Sequence, residues 1–255
     1  MSEEVSGAQS IRRVISILRV LAAGQETGVR AIDIARQTQL AQPTVQRMLR
    51  ALVEEQMVEQ DPESRRYVIG PEAVLLGLAR GAPLRIRTLA DAALTSLCHE
   101  SGDSVYLTVR TGADSICIDR RIGAHPIQVL SAGVGIRRPL GVGAAGLVLL
   151  ASEDDAEVER IVQRNLPRLA ASGLTRRGLL DNIETTRARG FAFKEVGVVP
   201  GTRALSVPVP DRGAVVAAIS ISTVSARLST VRSRELLRAM REHADQVTKK
   251  LARAA

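Results

Sequence analysis

Apolar positions near the start of the chain recur with the spacing of three short helices. In the first predicted helix, which Ser10 would cap, the apolar positions are Val14, Ile17, Leu18 and Leu21. The second covers about 31–38, and its inward candidates are Ile32, Ile34 and Ala35. The third runs over about 43–56, with an apolar stripe formed by Val45, Met48, Leu49, Leu52 and Val53.

Two short strands are predicted directly after the third helix. They cover about 57–60 and 65–69, and the turn-forming residues 61–64 separate them, so the pair reads as a β-hairpin. Three helices followed by a hairpin is the order of a winged helix-turn-helix. A helical pair and a hairpin also occur in other small α+β units, so the pattern alone leaves that alternative open.

The polar residues of the third helix favour DNA binding. Four of them lie off the apolar stripe in its first two turns: Thr44, Gln46, Arg47 and Arg50. Short or forked donors without acids are what base edges in a major groove require. In the hairpin, Arg65 and Arg66 are placed to contact phosphate or the minor groove. An arginine on a helix face is often only solvated, so these contacts are a hypothesis.

The remainder of the chain changes from helices to strands and back. The predicted connector consists of a helix over about 72–80, a break at 81–83 and a long helix. The residues of the long helix that should face the core are Ile86, Leu89, Ala90, Ala93, Leu94 and Leu97. The two apolar helices also suggest a dimer surface. Strands are then predicted at 104–110, 115–121, 127–130, 191–193, 204–209 and 215–222. Helices are predicted from within 143–147 to 151, over 153–165 and 177–189, and at the end of the chain. This order fits an α+β fold.

The net charge supports DNA binding only through its local distribution. The chain has 255 residues and a formal net charge of +8, but residues 1–80 contain ten arginines and ten acids. Within residues 11–50, seven arginines stand against Glu26 and Asp33. Positive charge is therefore concentrated in the predicted helices that would contact DNA.

Composition excludes several other classes. Aromatic residues make up only 2%, which argues against a base-stacking platform for single strands. The longest apolar stretch, 140–151, is too short to cross a bilayer, and Glu3 and Glu4 stand where a signal peptide would be basic. We therefore expect a cytoplasmic protein without a membrane partner. Cys98 and Cys117 are too few for a disulfide framework or a zinc site.

Residues 141–146 match the dinucleotide-binding pattern G-x-G-x-x-G, but their context does not fit. Arg137-Arg138-Pro139 precedes them, and proline is poor in a central strand. The acids Glu157 and Glu159, at the expected distance, lie in a helical stretch. Glycines before a helix still leave its first N–H groups free, and such a terminus attracts anions.

Other candidate sites are weaker. Ser220 and Ser222 point to one face of a predicted strand, which could equally be a solvent-facing polar row. Lys194, Glu195 and Arg203 flank the loop 197–201, which could lie over a pocket, although such charges are usually just exposed. The three histidines form no nucleophile motif and have no metal-ligand spacing. We expect no catalytic residue, metal or cofactor; an enzyme of nucleotides or acyl groups and a nonspecific chromosomal protein are the competing classes.

The ordered motifs of nearly the whole chain resemble the isocitrate lyase regulator (IclR) family of bacterial transcription factors. The segments that carry the resemblance are Ser10-Ile11-Arg12-Arg13 with Ile17-Leu18, Pro43-Thr44-Val45-Gln46-Arg47, Tyr67-Val68-Ile69-Gly70, Arg138-Pro139-Leu140 with Gly143-Ala144-Ala145-Gly146, Arg189-Gly190-Phe191 with Glu195, Val207-Pro208-Val209 with Asp211, and residues 217–222. Each segment is weak singly, and the ordered set is strong.

The resemblance implies a winged helix-turn-helix over 1–70, a dimerising linker helix over 71–85 and a GAF-like effector-binding domain over 86–255. It implies repression or activation of a metabolic or catabolic operon through palindromic operator DNA by a homodimer or homotetramer. The effector would be a small metabolite, commonly a carboxylate, and the residues carried over to its pocket are Gly143, Ala144, Glu195, Ala204, Ser220 and Ser222.

Three positions depart from the family pattern. Ala204 stands where some members have Cys, and Lys194 stands where an acid is expected. Both put the identity of the effector in doubt. Gln39 occupies the turn of the helix-turn-helix where Gly is frequent, which is tolerable if that turn avoids a positive φ.

Overall fold

The computed structural model describes residues 8–24, 27–78, 81–195 and 198–254. The chain divides into two compact units, Met1–Gly81 and Ala82–Ala255. The division falls inside the predicted connector of residues 71–85, and the role of that connector as a separate linker stays a prediction.

The first unit contains the three expected helices, α1 (Ala8–Gly24), α2 (Ala31–Thr38) and α3 (Gln42–Glu54). Ile17, Ile34 and Leu49 are fully buried in its core, as the apolar spacing predicts. Three details of the prediction are wrong. Ser10 lies within α1 and does not cap it, and Ile32 and Val53 are exposed because each lies at the edge of its helix's apolar stripe.

The hairpin of the first unit is a small antiparallel sheet. Strands β1 (Val58–Gln60) and β2 (Tyr67–Ile69) pair across the turn 61–66. Val29, between α1 and α2, exchanges two backbone hydrogen bonds of 2.9 Å with Tyr67 and so adds a third segment. The hairpin is therefore fixed to the helices by main-chain contacts.

Two helices follow the hairpin: α4 (Pro71–Leu78) and α5 (Gly81–Ser101). Pro83 lies in the first turn of α5, where its missing N–H costs no hydrogen bond, so the predicted break at 81–83 is wrong. The apolar residues of α5 from Ile86 to Leu97 are buried in the core of the second unit. Among the side chains that the structure describes in the two helices suggested for a dimer surface, the exposed large apolar ones are Val74, Leu75 and Leu76 of α4.

The second unit is built on a six-stranded antiparallel sheet in the order β5-β4-β3-β8-β7-β6. Its strands are β3 (Ser104–Thr111), β4 (Asp114–Arg121), β5 (Arg137–Pro139), β6 (Ala192–Lys194), β7 (Thr202–Asp211) and β8 (Ala214–Val224). The remaining helices are α6 (Gly143–Ala151), α7 (Asp155–Ala170), α8 (Arg176–Arg189) and α9 (Thr230–Arg253). The α+β fold class is confirmed.

The two faces of the sheet are covered by different helices. On one face, α5 and α9 pack on alternate residues of the central strands, such as Leu107, Ile219 and Ile221. On the other, α6, α7 and α8 form a second core with Leu140 and Ala218. The alternation of a strand places Ser220 and Ser222 on the face opposite to Ile219 and Ile221.

Two expectations for this unit need correction. Residues 127–130 are irregular, with Ile127 and Leu130 exposed, because Gln128 and the backbone of Val129 bond to the start of the sheet instead of to a neighbouring strand. The strand that follows β4 is instead β5, which contains Pro139. Proline is tolerated there because β5 is an edge strand. β5 pairs antiparallel with β4, which excludes the parallel βαβ unit of a dinucleotide site.

Candidate functional site

Helix α3 presents a polar surface of the composition that was expected. Gln46, Arg47 and Arg50 are exposed, and Thr44 is half-buried in the first turn. Val45 and Leu49 on the opposite side are fully buried, which fixes the rotation of the helix. No acidic residue lies in its first three turns. The surface can therefore donate hydrogen bonds without repelling phosphate.

The two wing arginines differ in their surroundings. Arg65 is exposed and has a φ of +58°, at the tip of the turn. Arg66 is half-buried and donates a 3.0 Å hydrogen bond from Nη1 to the backbone oxygen of Gly28. Arg66 therefore helps to hold the wing against the helices, and Arg65 has the freer side chain.

The turn of the helix-turn-helix has a left-handed residue. Gln39 has a φ of +57° and ends α2, and its backbone N–H is directed to the oxygen of Ala35. The condition under which Gln39 would be tolerated without strain, a turn that avoids a positive φ, is therefore not met. A side chain in this conformation costs free energy that glycine would not.

A pocket that is partly open to solvent lies within the second unit between the sheet and the start of α6. The central strands supply Tyr106, Thr108, Ser220 and Ser222, and β4 supplies Ser115 and Cys117. The remaining walls come from the loop 131–136, the segment 142–146, Val198, β7, and the edge strands β5 and β6.

Two cations and no carboxylate line this pocket, among the residues that the structure describes. The cations are Arg138 of β5 and Lys194 of β6. Burial lowers the pKa of the Lys194 ammonium and of the Arg138 guanidinium below their ordinary values. Arg138 donates to the backbone oxygen of Ser131. An anionic ligand would compensate both desolvated charges.

The start of α6 adds a third group that attracts anions. Val142 precedes this helix and offers no side-chain oxygen to its first N–H groups. Gly143, the first helical residue, has a φ of +70°, and a Cβ there would lie 3.4 Å from Val198 of the loop 198–201. A glycine therefore allows both the left-handed backbone and close approach of that loop, whose Val198 lines the pocket.

Buried hydroxyl groups complete the pocket. Ser220 donates a 2.9 Å hydrogen bond to Ser206 Oγ, which in turn is directed to the backbone of Ile219. Ser222 and Thr108 are more than nine-tenths buried, and their hydroxyls have no hydrogen-bond partner in the described parts of the chain. The alternative of a solvent-facing serine row is therefore excluded.

The cysteine of the pocket is not activated as a nucleophile. Burial raises the pKa of the Cys117 thiol to about 11, so the group is neutral at physiological pH. No cluster of three or more His, Cys, Asp or Glu that could bind a metal occurs in ranges 8–24, 27–78, 81–195 and 198–254. None of the helices described is long and apolar enough to span a bilayer.

The structure brings together most of the predicted effector residues. Gly143, Ala144, Ala204, Ser220 and Ser222 all line the pocket. Glu195 does not, because it follows the edge strand and points to Arg203, at 3.7 Å from Oε1 to Nη2. Sequence analysis missed the pocket residues of β3 and β4, although Tyr106 and Thr108 follow the same two-residue alternation as Ser220 and Ser222.

The comparisons with known proteins cover both units. The profile of the IclR helix-turn-helix domain matches residues 10–62, and that of the bacterial transcriptional regulator IclR C-terminal domain matches residues 82–249. The chain is 31% identical over 248 residues to the glycerol operon regulatory protein of Streptomyces griseus, which covers 95% of this chain and 96% of that protein.

Two solved structures have the same fold. An IclR transcriptional regulator from Alicyclobacillus acidocaldarius is 25% identical, with a TM-score of 0.74 over 95% of this chain and 98% of that one. An IclR homologue from Microbacterium hydrocarbonoxydans, complexed with 4-hydroxybenzoate, is 22% identical, with a TM-score of 0.75 over 96% and 100%. With a DNA-binding helix-turn-helix unit and an effector-domain unit that both match, the chain belongs to the IclR family of bacterial transcriptional regulators.

Proposed function

We propose that the chain is a cytoplasmic, ligand-responsive regulator of a metabolic or catabolic operon that binds palindromic operator DNA. Gln46, Arg47 and Arg50 would reach base edges in the major groove, with Thr44 at the start of the helix. Arg65 and Arg66 would hold the wing on the DNA backbone. The exposed, acid-free surface of α3 is the observation that carries this proposal.

The effector in this proposal is a small carboxylate. Arg138, Lys194 and the start of α6 favour a negative group, and Ser220 and Ser222 provide hydroxyls beside it. The solved relative with 4-hydroxybenzoate shares the fold at 22% identity, so the proposal rests on the charges of this pocket. The effector changes the affinity for DNA only as far as it binds one arrangement of the protein better than another.

A homodimer or homotetramer is the proposed assembly. A palindromic operator requires two copies of α3, and α4 exposes Val74, Leu75 and Leu76, each more than half accessible. Sedimentation of the Leu75→Glu variant tests the role of α4. A shift to monomers supports it, and an unchanged mass contradicts it. Val231→Glu is the matched control, because Val231 is equally exposed on α9.

Selection from a random pool of duplexes tests DNA recognition. The purified chain should enrich a palindrome and bind it at least about a thousandfold more tightly than random duplex at physiological salt. Equal affinity for all sequences would indicate a nonspecific chromosomal protein instead. Binding of the selected palindrome is then measured with a panel of carboxylates. An affinity that no carboxylate changes contradicts the proposed effector class, and turnover of a nucleotide or acyl ester would favour an enzyme.

A further inference from the structure

Many arginines of the second unit are compensated by ion pairs. Arg110 contacts Glu153 and Glu157, Arg137 contacts Asp114, and further pairs link Arg121 to Asp91, Arg168 to Asp114, and Arg227 and Arg232 to Asp103. In the described residues, Arg138 and Lys194 have no carboxylate within 4 Å. Both cations line the same pocket.

The two cations lie on opposite edges of the sheet. Arg138 belongs to β5 and Lys194 to β6, which are its opposite edge strands. Both also line an adjoining cavity, together with Ser172 and Leu174 from the connection between α7 and α8. The two side chains thus stand where the inner pocket meets an outer one, and each is anchored to a separate strand.

Neither of these half-buried cations has, among the described residues, an acid that compensates its charge. A desolvated charge without a counter-charge destabilises a fold, and paired or solvated positions are therefore the rule. The pocket also contains the hydroxyls of Thr108 and Ser222, for which the described parts of the chain provide no hydrogen-bond partner. Two positive groups on separate strands, with hydroxyls between them, call for a ligand with two separate negative groups.

We propose that the pocket is specific for a dicarboxylate, with one carboxylate bound by Arg138 and the other by Lys194. This inference rests on the proposed function of the pocket and narrows its ligand class. The fork of Arg138 suits the two oxygens of a carboxylate, whereas Lys194 contributes a point charge. Thr108 and Ser222 donate hydrogen bonds to the ligand between its ends.

Calorimetry on the full chain at physiological salt tests the proposal. The probes are straight-chain α,ω-dicarboxylates of four to eight carbons and the three benzenedicarboxylates, each compared with its monomethyl ester. The best dicarboxylate should bind about ten- to hundredfold more tightly than its monoester, because the ester loses one charge-assisted hydrogen bond. A phosphate monoester of similar size that binds more tightly than every dicarboxylate would overturn the assignment.

Variants separate this inference from the proposed function. Lys194→Met should bring the ratio of diacid to monoester affinity close to one while leaving the monoester affinity nearly unchanged, and Lys194→Arg should restore the ratio. Arg137→Met is the matched control for Arg138→Met, because Arg137 lies on the same strand, pairs with Asp114 and does not line the pocket. If diacid and monoester bind equally to the wild type, the dicarboxylate inference is wrong and a carboxylate effector stands. If none of these acids binds, both are wrong.

Discussion

Arginine has different surroundings in the two units of this chain. On α3, Arg47 and Arg50 extend into solvent without an ion-pair partner in the described residues. In the second unit, many arginines are bound to acids, and Asp103 alone receives hydrogen bonds from two of them. Arginine is thus available to bind an external partner in the first unit, whereas in the second unit it stabilises the fold.

The difference lies in burial. An exposed guanidinium stays hydrated and costs little until a phosphate or a base replaces its water, so α3 needs no counter-charge. A guanidinium drawn against the sheet loses water on folding and requires an acid nearby. Arg138 and Lys194 combine both conditions, since they are desolvated yet unpaired. They are therefore the exceptions from which ligand binding is inferred.

The largest effect is expected where arginines support the fold. Asp103 is almost fully buried and accepts hydrogen bonds from Thr223, Arg227 and Arg232 at 2.8, 3.1 and 2.8 Å. Asp103→Ala removes the shared counter-charge and should lower the free energy of unfolding by about 3–5 kcal/mol. Urea unfolding followed by circular dichroism measures the change.

Asp91→Ala is the control for that variant. Asp91 also pairs with an arginine, Arg121, at 2.5 Å, but its side chain is 63% exposed. Its loss should cost less than about 1 kcal/mol. Equal destabilisation by the two variants would contradict the distinction between buried and exposed pairs.

The next effect is expected at the DNA. Arg47→Ala should weaken binding of the selected operator by about 1–3 kcal/mol and relax the preference at one base pair, because a base-reading arginine acts locally. Fluorescence anisotropy with each base pair of the operator replaced in turn measures both. Arg36→Ala is the control, since Arg36 is exposed on α2 but held by Asp33 at 2.6 Å. A uniform loss over all sequences would assign Arg47 to phosphate.

The first unit could be predicted from the sequence more fully than the pocket. Each apolar stripe of α1 to α3 is local, so the exposed face of α3 follows from one helical period. The pocket combines strands from positions 106 to 222, and its lining depends on which strands are neighbours. Ser220 and Ser222 were found, but the contribution of Tyr106 and Thr108 required the pairing of β3 with β8.

The charged residues of the second unit show the same limit. Sequence analysis treated Lys194 as a departure from the family pattern and Arg138 as part of a motif. Their meaning depends on the absence of acids around them, which only the folded arrangement of edge strands reveals. Glu195 was chosen for its position in the sequence, yet the strand ends before it and directs it toward Arg203.

A smaller effect should separate the two wing arginines. Arg65→Ala should weaken binding to all duplexes and reduce the slope of affinity against salt by about one, with little change in stability. Arg66→Ala should also lower the free energy of unfolding by about 1 kcal/mol, because the hydrogen bond to Gly28 is lost. Salt titrations and urea unfolding measure the two quantities. Equal stability of the two variants would contradict the structural role of Arg66.

The smallest effect concerns the backbone, where the units also differ: a glycine takes the left-handed position at the start of α6, and Gln39 takes it at the end of α2. Gln39→Gly should raise the free energy of unfolding by less than about 1 kcal/mol, since relief of the left-handed strain is partly offset by a more flexible unfolded chain. Gln37→Gly is the matched control. It makes the same exchange two residues earlier, at an exposed position within α2, where glycine should instead cost about 1 kcal/mol. Thermal unfolding measures the change in the free energy of unfolding for both variants. A rise for Gln39→Gly and a fall for Gln37→Gly would establish that the effect at position 39 comes from its φ and not from the loss of a glutamine side chain.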